Sequence, residues 1–147
     1  MLHNITDEDC PSIAGPIEEL LEASKSGNLS KVEFVLKYCG GIDINTKDLI
    51  GQTPLMCASK HGHSEITQLL LKEDGIEINK ADEYGRTALH WASRMGNADV
   101  VQQLLDATGI DINKADKNGN TALIQATYDG NADIAQLLLQ AGQSVAL

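Results

Sequence analysis

Aromatic rings are scarce in this chain: 147 residues contain one Trp, one Phe and three Tyr. A core built without rings must come from aliphatic side chains, with small residues that let helices approach closely. Cysteine is scarce too. Cys10, Cys39 and Cys57 are odd in number and share no C-x-x-C spacing, so neither a disulfide framework nor a zinc site is expected, and a reducing compartment fits best. No apolar run approaches the roughly 20 residues of a membrane span, and the N-terminus lacks the basic start and apolar stretch of a signal peptide. These features point to the cytoplasm.

Positive charge is the other shortage. Eleven Lys and Arg stand against 21 Asp and Glu, a net −10. Residues 1–22 hold Asp7, Glu8, Asp9, Glu18, Glu19 and Glu22 and no Lys or Arg, so they contribute −6 and the remainder −4. That balance repels phosphate backbones and anionic bilayers, so neither nucleic acid nor membrane is an expected partner. Residues 1–16 read as an acidic, flexible lead-in.

Catalytic signatures are missing as well. The chain has no G-x-x-x-x-G-K-[ST], G-x-G-x-x-G, G-x-S-x-G or H-E-x-x-H, and no EF-hand loop. Cys57 has no histidine placed by motif as its base. His61, Gly62 and His63, followed by Glu65, resemble a metal site only locally. Gly62 falls between two helices, and the two imidazoles are expected to point apart. No catalytic residue, cofactor or metal is assigned.

What is present is self-similarity. Residues 45–62 (N-T-K-D-L-I-G-Q-T-P-L-M-C-A-S-K-H-G), 79–96 (N-K-A-D-E-Y-G-R-T-A-L-H-W-A-S-R-M-G) and 113–130 (N-K-A-D-K-N-G-N-T-A-L-I-Q-A-T-Y-D-G) align at a period of 34. The Asn, Asp, Gly, Thr, Leu and Ala columns stay in phase, as does the final Gly. A degraded earlier copy, L-L-E-A-S-K-S-G at 20–27, aligns with 55–62. Thr53 before Pro54 reads as a helix cap followed by a favourable first-turn proline. Leu55 and Ala58 then share one side of a short helix that Gly62 is expected to end with the left-handed stop that glycine permits. A second helix carries Ile66, Leu69 and Leu70; Val100 with Leu104, and Ile134 with Leu138, repeat the pattern. An extended I-E-I-N or I-D-I-N piece and a D-x-x-G turn follow. Asp48, Asp82 and Asp116 recur with the repeat and serve that turn. Ser24, Ser59, Ser93 and Thr127, beside the Ala column, are small enough to let neighbouring helix pairs pack closely. No single unit can bury its apolar face alone, whereas stacked units can.

With T-P-L-M-C-A, T-A-L-H-W-A, the steps Gly62-His63, Gly96-Asn97 and Gly130-Asn131, and D-x-x-G-x-T in place, the sequence resembles the ankyrin-repeat family over residues 17–147. The resemblance implies an all-α repeat solenoid, with helix-turn-helix units at about 17–48, 49–82, 83–116 and 117–147 joined by β-hairpin-like loops. The period departs from the family's usual 33, with the extra residues in the loop after the second helix. Only His90 keeps the family's histidine; Met56 and Ile124 replace it elsewhere.

The implied function is a non-enzymatic protein-binding module, an adaptor, inhibitor or chaperone-like binder that is monomeric alone; the alternatives are a regulatory portion of a longer protein and, last, an unrecognised enzyme. Rows whose residue type changes between units are the candidates for partner contact. They are Leu49, Ile50 and Gln52, then Glu83, Tyr84 and Arg86, then Lys117, Asn118 and Asn120 at the loop tips. On the first helices they are Cys57, Trp91 and Gln125, with Lys60-His61, Arg94-Met95 and Tyr128-Asp129 before the closing Gly. The resemblance places the same rows on a concave binding surface. Tyr84, Arg86, Trp91, Arg94 and Tyr128 are the residue types that dominate interface energy. Trp91→Ala is expected to weaken partner capture without altering the fold's stability.

Overall fold

A computed structural model describes residues 15–145; most of the acidic lead-in, and the question of its flexibility, lie outside the described residues. Eight helices follow in order: α1 Pro16–Ser26, α2 Leu29–Tyr38, α3 Pro54–Lys60, α4 Ser64–Leu71, α5 Ala88–Met95, α6 Ala98–Leu105, α7 Ala122–Tyr128 and α8 Ala132–Val145. They form two layers. The first helices α1, α3, α5 and α7 lie side by side, and so do the second helices α2, α4, α6 and α8. Among the described residues no helix is long and apolar enough to cross a membrane.

The repeat columns explain the geometry. Thr53, Thr87 and Thr121 sit in extended backbone, and each hydroxyl accepts the N–H three residues on, at Met56, His90 and Ile124. Gly27, Gly62, Gly96 and Gly130 all take left-handed backbone after the first helix. The next residue's N–H then returns to the alanine column: Asn28 to Ala23, His63 to Ala58, Asn97 to Ala92 and Asn131 to Ala126, at 2.9–3.0 Å. That bond closes a Schellman turn and sends the chain back as the second helix. Ala23, Ala58, Ala92 and Ala126 are buried, as are Ser24, Ser59 and Ser93, which is how the first helices approach so closely. Thr127 departs from the expectation and is exposed, because no further first helix lies against α7 among the described residues. The second helices supply the aliphatic half of the core with Val32, Val35, Ile66, Leu70, Val100, Leu104, Ile134 and Leu138.

Two expectations are corrected. The I-E-I-N and I-D-I-N pieces do not extend into strands; they run as turns, and no strand occurs among the described residues. Asparagine side chains do there what a paired strand would do. Asn45 accepts the Glu77 N–H and donates to the Gly75 carbonyl, both at 2.8 Å, and Asn79 does the same with Asp111 and Gly109. Hairpin character survives at the loop tips, where Asp48, Asp82 and Asp116 each donate their N–H to the carbonyl four residues on, at 2.9 Å. The second correction concerns cysteine. Cys39 is disulfide-bonded, while Cys57 is free and buried. Linear spacing does not reveal which thiols a fold brings together, and the cysteine count therefore no longer argues for a reducing compartment.

Candidate protein-binding face

Each loop tip is organised by one aspartate. Asp48 Oδ1 accepts the N–H groups of Ile50 and Gln52, Asp82 Oδ1 those of Tyr84 and Arg86, and Asp116 Oδ1 those of Asn118 and Asn120. These Asx turns confirm the assignment of the three carboxylates to turn chemistry. Adjacent tips are tied by backbone bonds, Glu83 N–H to the Ile50 carbonyl and Lys117 N–H to the Tyr84 carbonyl. The second oxygen differs from unit to unit. Asp48 Oδ2 pairs with Lys25 at 3.3 Å, Asp82 Oδ2 accepts the Trp91 indole N–H at 2.8 Å, and Asp116 Oδ2 faces Arg86 Nε at 3.8 Å.

The other end of each first helix is stitched to its neighbour. His63 Nε2 lies 2.8 Å from the Lys25 carbonyl, and Asn97 and Asn131 donate to the Ser59 and Ser93 carbonyls, also at 2.8 Å. The Gly-His and Gly-Asn steps thus serve as rivets between units. At Gly27 a side chain would collide with His63, whose ring carbon lies 2.7 Å from where a Cβ would stand. The His61 and His63 rings, expected to point apart, instead lie roughly parallel, 6.1 Å between centroids, because the left-handed turn at Gly62 folds both to one side.

His90 acts as its motif implies. Its Nδ1 accepts the Thr87 N–H, completing a capping box, so the ring proton sits on Nε2 and is donated to the Asn120 carbonyl of the next unit at 2.8 Å. Met56 fills the same buried place without such bonds, and Ile124 does not fill it at all.

The candidate contact residues divide into two sets. Leu49, Ile50, His61, Glu83, Tyr84, Arg94, Met95, Lys117, Asn118, Tyr128 and Asp129 are exposed, and Lys60, Arg86 and Asn120 are partly so. Gln52, Cys57, Trp91 and Gln125 are buried. A changing row on the first helices is therefore not automatically a free row. The loop tips fold over these helices, and the row at Cys57, Trp91 and Gln125 lies under that roof. Burial pushes the Cys57 thiol up to about 12, chiefly by desolvation, which keeps it protonated.

Trp91 requires the largest revision. Only 6% of its surface is exposed and its N–H is tied to Asp82, so it is part of the packed structure. The expectation that Trp91→Ala leaves stability unchanged does not fit this environment. Conversely, Ile124 is 47% exposed and borders a cleft of about 290 Å³ with Arg86, Arg94, Tyr128 and Asp129. The sequence held a signal for it, because the row Met56, His90, Ile124 also changes type.

Comparison with known proteins agrees with this architecture. A family model described as ankyrin repeats (3 copies) matches residues 20–116, and one described as ankyrin repeats (many copies) matches 99–139. The chain belongs to the ankyrin-repeat family. Members of the family are protein-interaction modules. Short transient receptor potential channel 3 of Rattus norvegicus is 34% identical over 64 residues, 44% of this chain and 7% of that protein. The Homo sapiens protein of the same name is 33% identical over 63 residues, covering 43% and 7%. A probable E3 ubiquitin-protein ligase XBOS33 of Oryza sativa subsp. japonica is 43% identical over 49 residues, 33% of this chain and 9% of the ligase. The chain spans less than a tenth of the length of these relatives.

Proposed function

We propose that this ankyrin-repeat chain is a non-catalytic binder that holds another protein against the face formed by its loop tips and first helices. One observation carries the reading. Of the eight large hydrophobic side chains exposed among the described residues, six belong to that face: Leu49, Ile50, Tyr84, Met95, Ile124 and Tyr128. Exposed apolar side chains gathered on one surface, on a backbone braced by bonds between units, offer a partner contact area at little ordering cost. An adaptor, inhibitor or chaperone-like role is compatible with such a face. The great length of the relatives supports a second setting, in which the same face regulates a larger protein. The cytoplasmic location expected from the sequence stands against the Cys39 disulfide, and fractionation with thiol trapping decides between them.

Affinity capture followed by mass spectrometry tests the face. Tyr84→Ser combined with Tyr128→Ser is expected to leave the helical circular-dichroism signal intact, because both rings are exposed, and to lose partners that the unaltered chain retains. Identical partner lists for the two proteins overturn the proposal.

A further inference from the structure

Resting on the binding face proposed above, a second pattern identifies the chemistry of what it takes. Three cations converge on the Trp91 ring: Lys60 Nζ at 4.6 Å, Arg86 Cζ at 5.1 Å and Arg94 Cζ at 5.7 Å from its centroid. The ring is held in place by the bond from its N–H to Asp82, which leaves its electron-rich face to the cations. Neither Lys60 nor Arg94 forms an ion pair among the described residues. Arg86 Nε faces Asp116 Oδ2 at 3.8 Å, too long for a hydrogen bond, and neither atom has a hydrogen-bond partner.

This concentration runs against the composition of the chain. Its net charge is −10, yet α3 and α5, which deliver Lys60 and Arg94, contain no Asp or Glu. Asp82 lies on the ring's N–H and Asp116 faces Arg86, so the cations left without an anion are Lys60 and Arg94, and an incoming carboxylate relieves their repulsion. Beside Arg86 and Arg94 the cleft offers Ile124 and Tyr128 as its apolar wall, with Asn120, Gln125 and Asp129 lining the rest. A long polyanion such as nucleic acid meets the repulsion of the whole molecule, whereas a single carboxylate flanked by an apolar residue can approach Lys60 and Arg94 on the side away from Asp82, Asp116 and Asp129.

We infer that the cationic cluster over Trp91 is a specificity site for an acidic segment of the protein partner, with a Glu or Asp carboxylate seated among Lys60, Arg86 and Arg94 and an adjoining apolar side chain in the Ile124–Tyr128 cleft. Trp91 is the sole tryptophan, so its fluorescence reports the site directly. The probes are a six-residue peptide alternating Glu and Leu, its counterpart alternating Lys and Leu, and hexathymidylate, each titrated at low salt.

The Glu-Leu peptide is expected to give a saturable change that fades as salt is raised and weakens at least tenfold in the Lys60→Gln, Arg94→Gln double variant. The Lys60→Arg, Arg94→Lys variant, which keeps the charges, is expected to retain the response and guards against misreading a folding defect. No response, an equal response to the Lys-Leu peptide or to hexathymidylate, or an undiminished response in the Gln variant overturns the inference. The two readings fail separately. Partners still captured by the Gln variant but lost with Tyr84→Ser and Tyr128→Ser leave the binding face standing and remove the acidic specificity; an unchanged list in both variants removes the face itself.

Discussion

The third and fourth units share a register but use it in opposite directions. In the third, His90 and Trp91 turn inward: the imidazole bridges Thr87 and the Asn120 carbonyl of the next loop, and the indole is anchored on Asp82. In the fourth, the same two places hold Ile124, which is half exposed, and Gln125, which folds back onto Asp129 in its own unit at 2.7 Å. Tyr128 of that unit is 87% exposed. A unit with another stacked on each side can turn a variable position into a bond between units, as His90 does with the Asn120 carbonyl. In the last unit among the described residues Ile124 is left open to solvent, while Gln125 stays buried but bonds only within its own unit. Position in the stack, as much as residue type, decides whether a side chain serves the fold or a partner.

The sharpest way to break this contrast is at the indole. Trp91→Ala removes a buried ring and leaves Asp82 Oδ2 without its donor, so a loss of about 3–5 kcal/mol is expected. Gln125→Ala at the equivalent place is expected to cost about 1 kcal/mol. Urea denaturation of both variants checks the pair, and similar midpoints would abolish the distinction between the two units.

A smaller contrast concerns two turn glycines with nearly the same backbone, Gly85 at φ 75° and Gly119 at φ 80°. A Cβ on Gly85 would lie 2.8 Å from the Lys117 nitrogen of the next loop, whereas nothing approaches within 4 Å at Gly119. Gly119→Ala is expected to cost about 1–2 kcal/mol for left-handed strain alone, and Gly85→Ala a further 1–3 kcal/mol, roughly, for the collision. Thermal melts that rank them the other way would show that the loops do not stack as described.

The smallest effect is at the position that holds His61, Met95 and Asp129 in successive units. Loss of solvent, then Lys60, His63 and Lys25, hold His61 below the ordinary value of 6.5. Unfolded chain therefore takes up this proton before folded chain does. The contribution is intact above pH 6.5 and declines as pH falls from there toward the lowered folded value. His61→Asn is expected to flatten that slope slightly in urea midpoints measured between about pH 7.5 and 5. An identical slope in the variant would assign it to other groups.

The residues themselves determined the architecture. The in-phase Asn, Asp, Gly, Thr, Leu and Ala columns specify caps, turns and a stacking face that local chemistry can realise in only one order, and each proved to have a distinct bond or packing place. Leu49, Tyr84 and Tyr128 were legible as contact candidates because their rows change type between units, and all three are exposed. What only the tertiary structure decided was the fate of particular positions: Trp91 and Cys57 beneath the loop tips, Gln52 buried within its own tip, Ile124 left open, Cys39 in a disulfide, and Asn45 and Asn79 replacing strand pairing. The asparagine bonds that tie one unit to the next join groups some 30 to 40 residues apart in sequence, and no pattern inside one unit encodes what the next unit will lay against it.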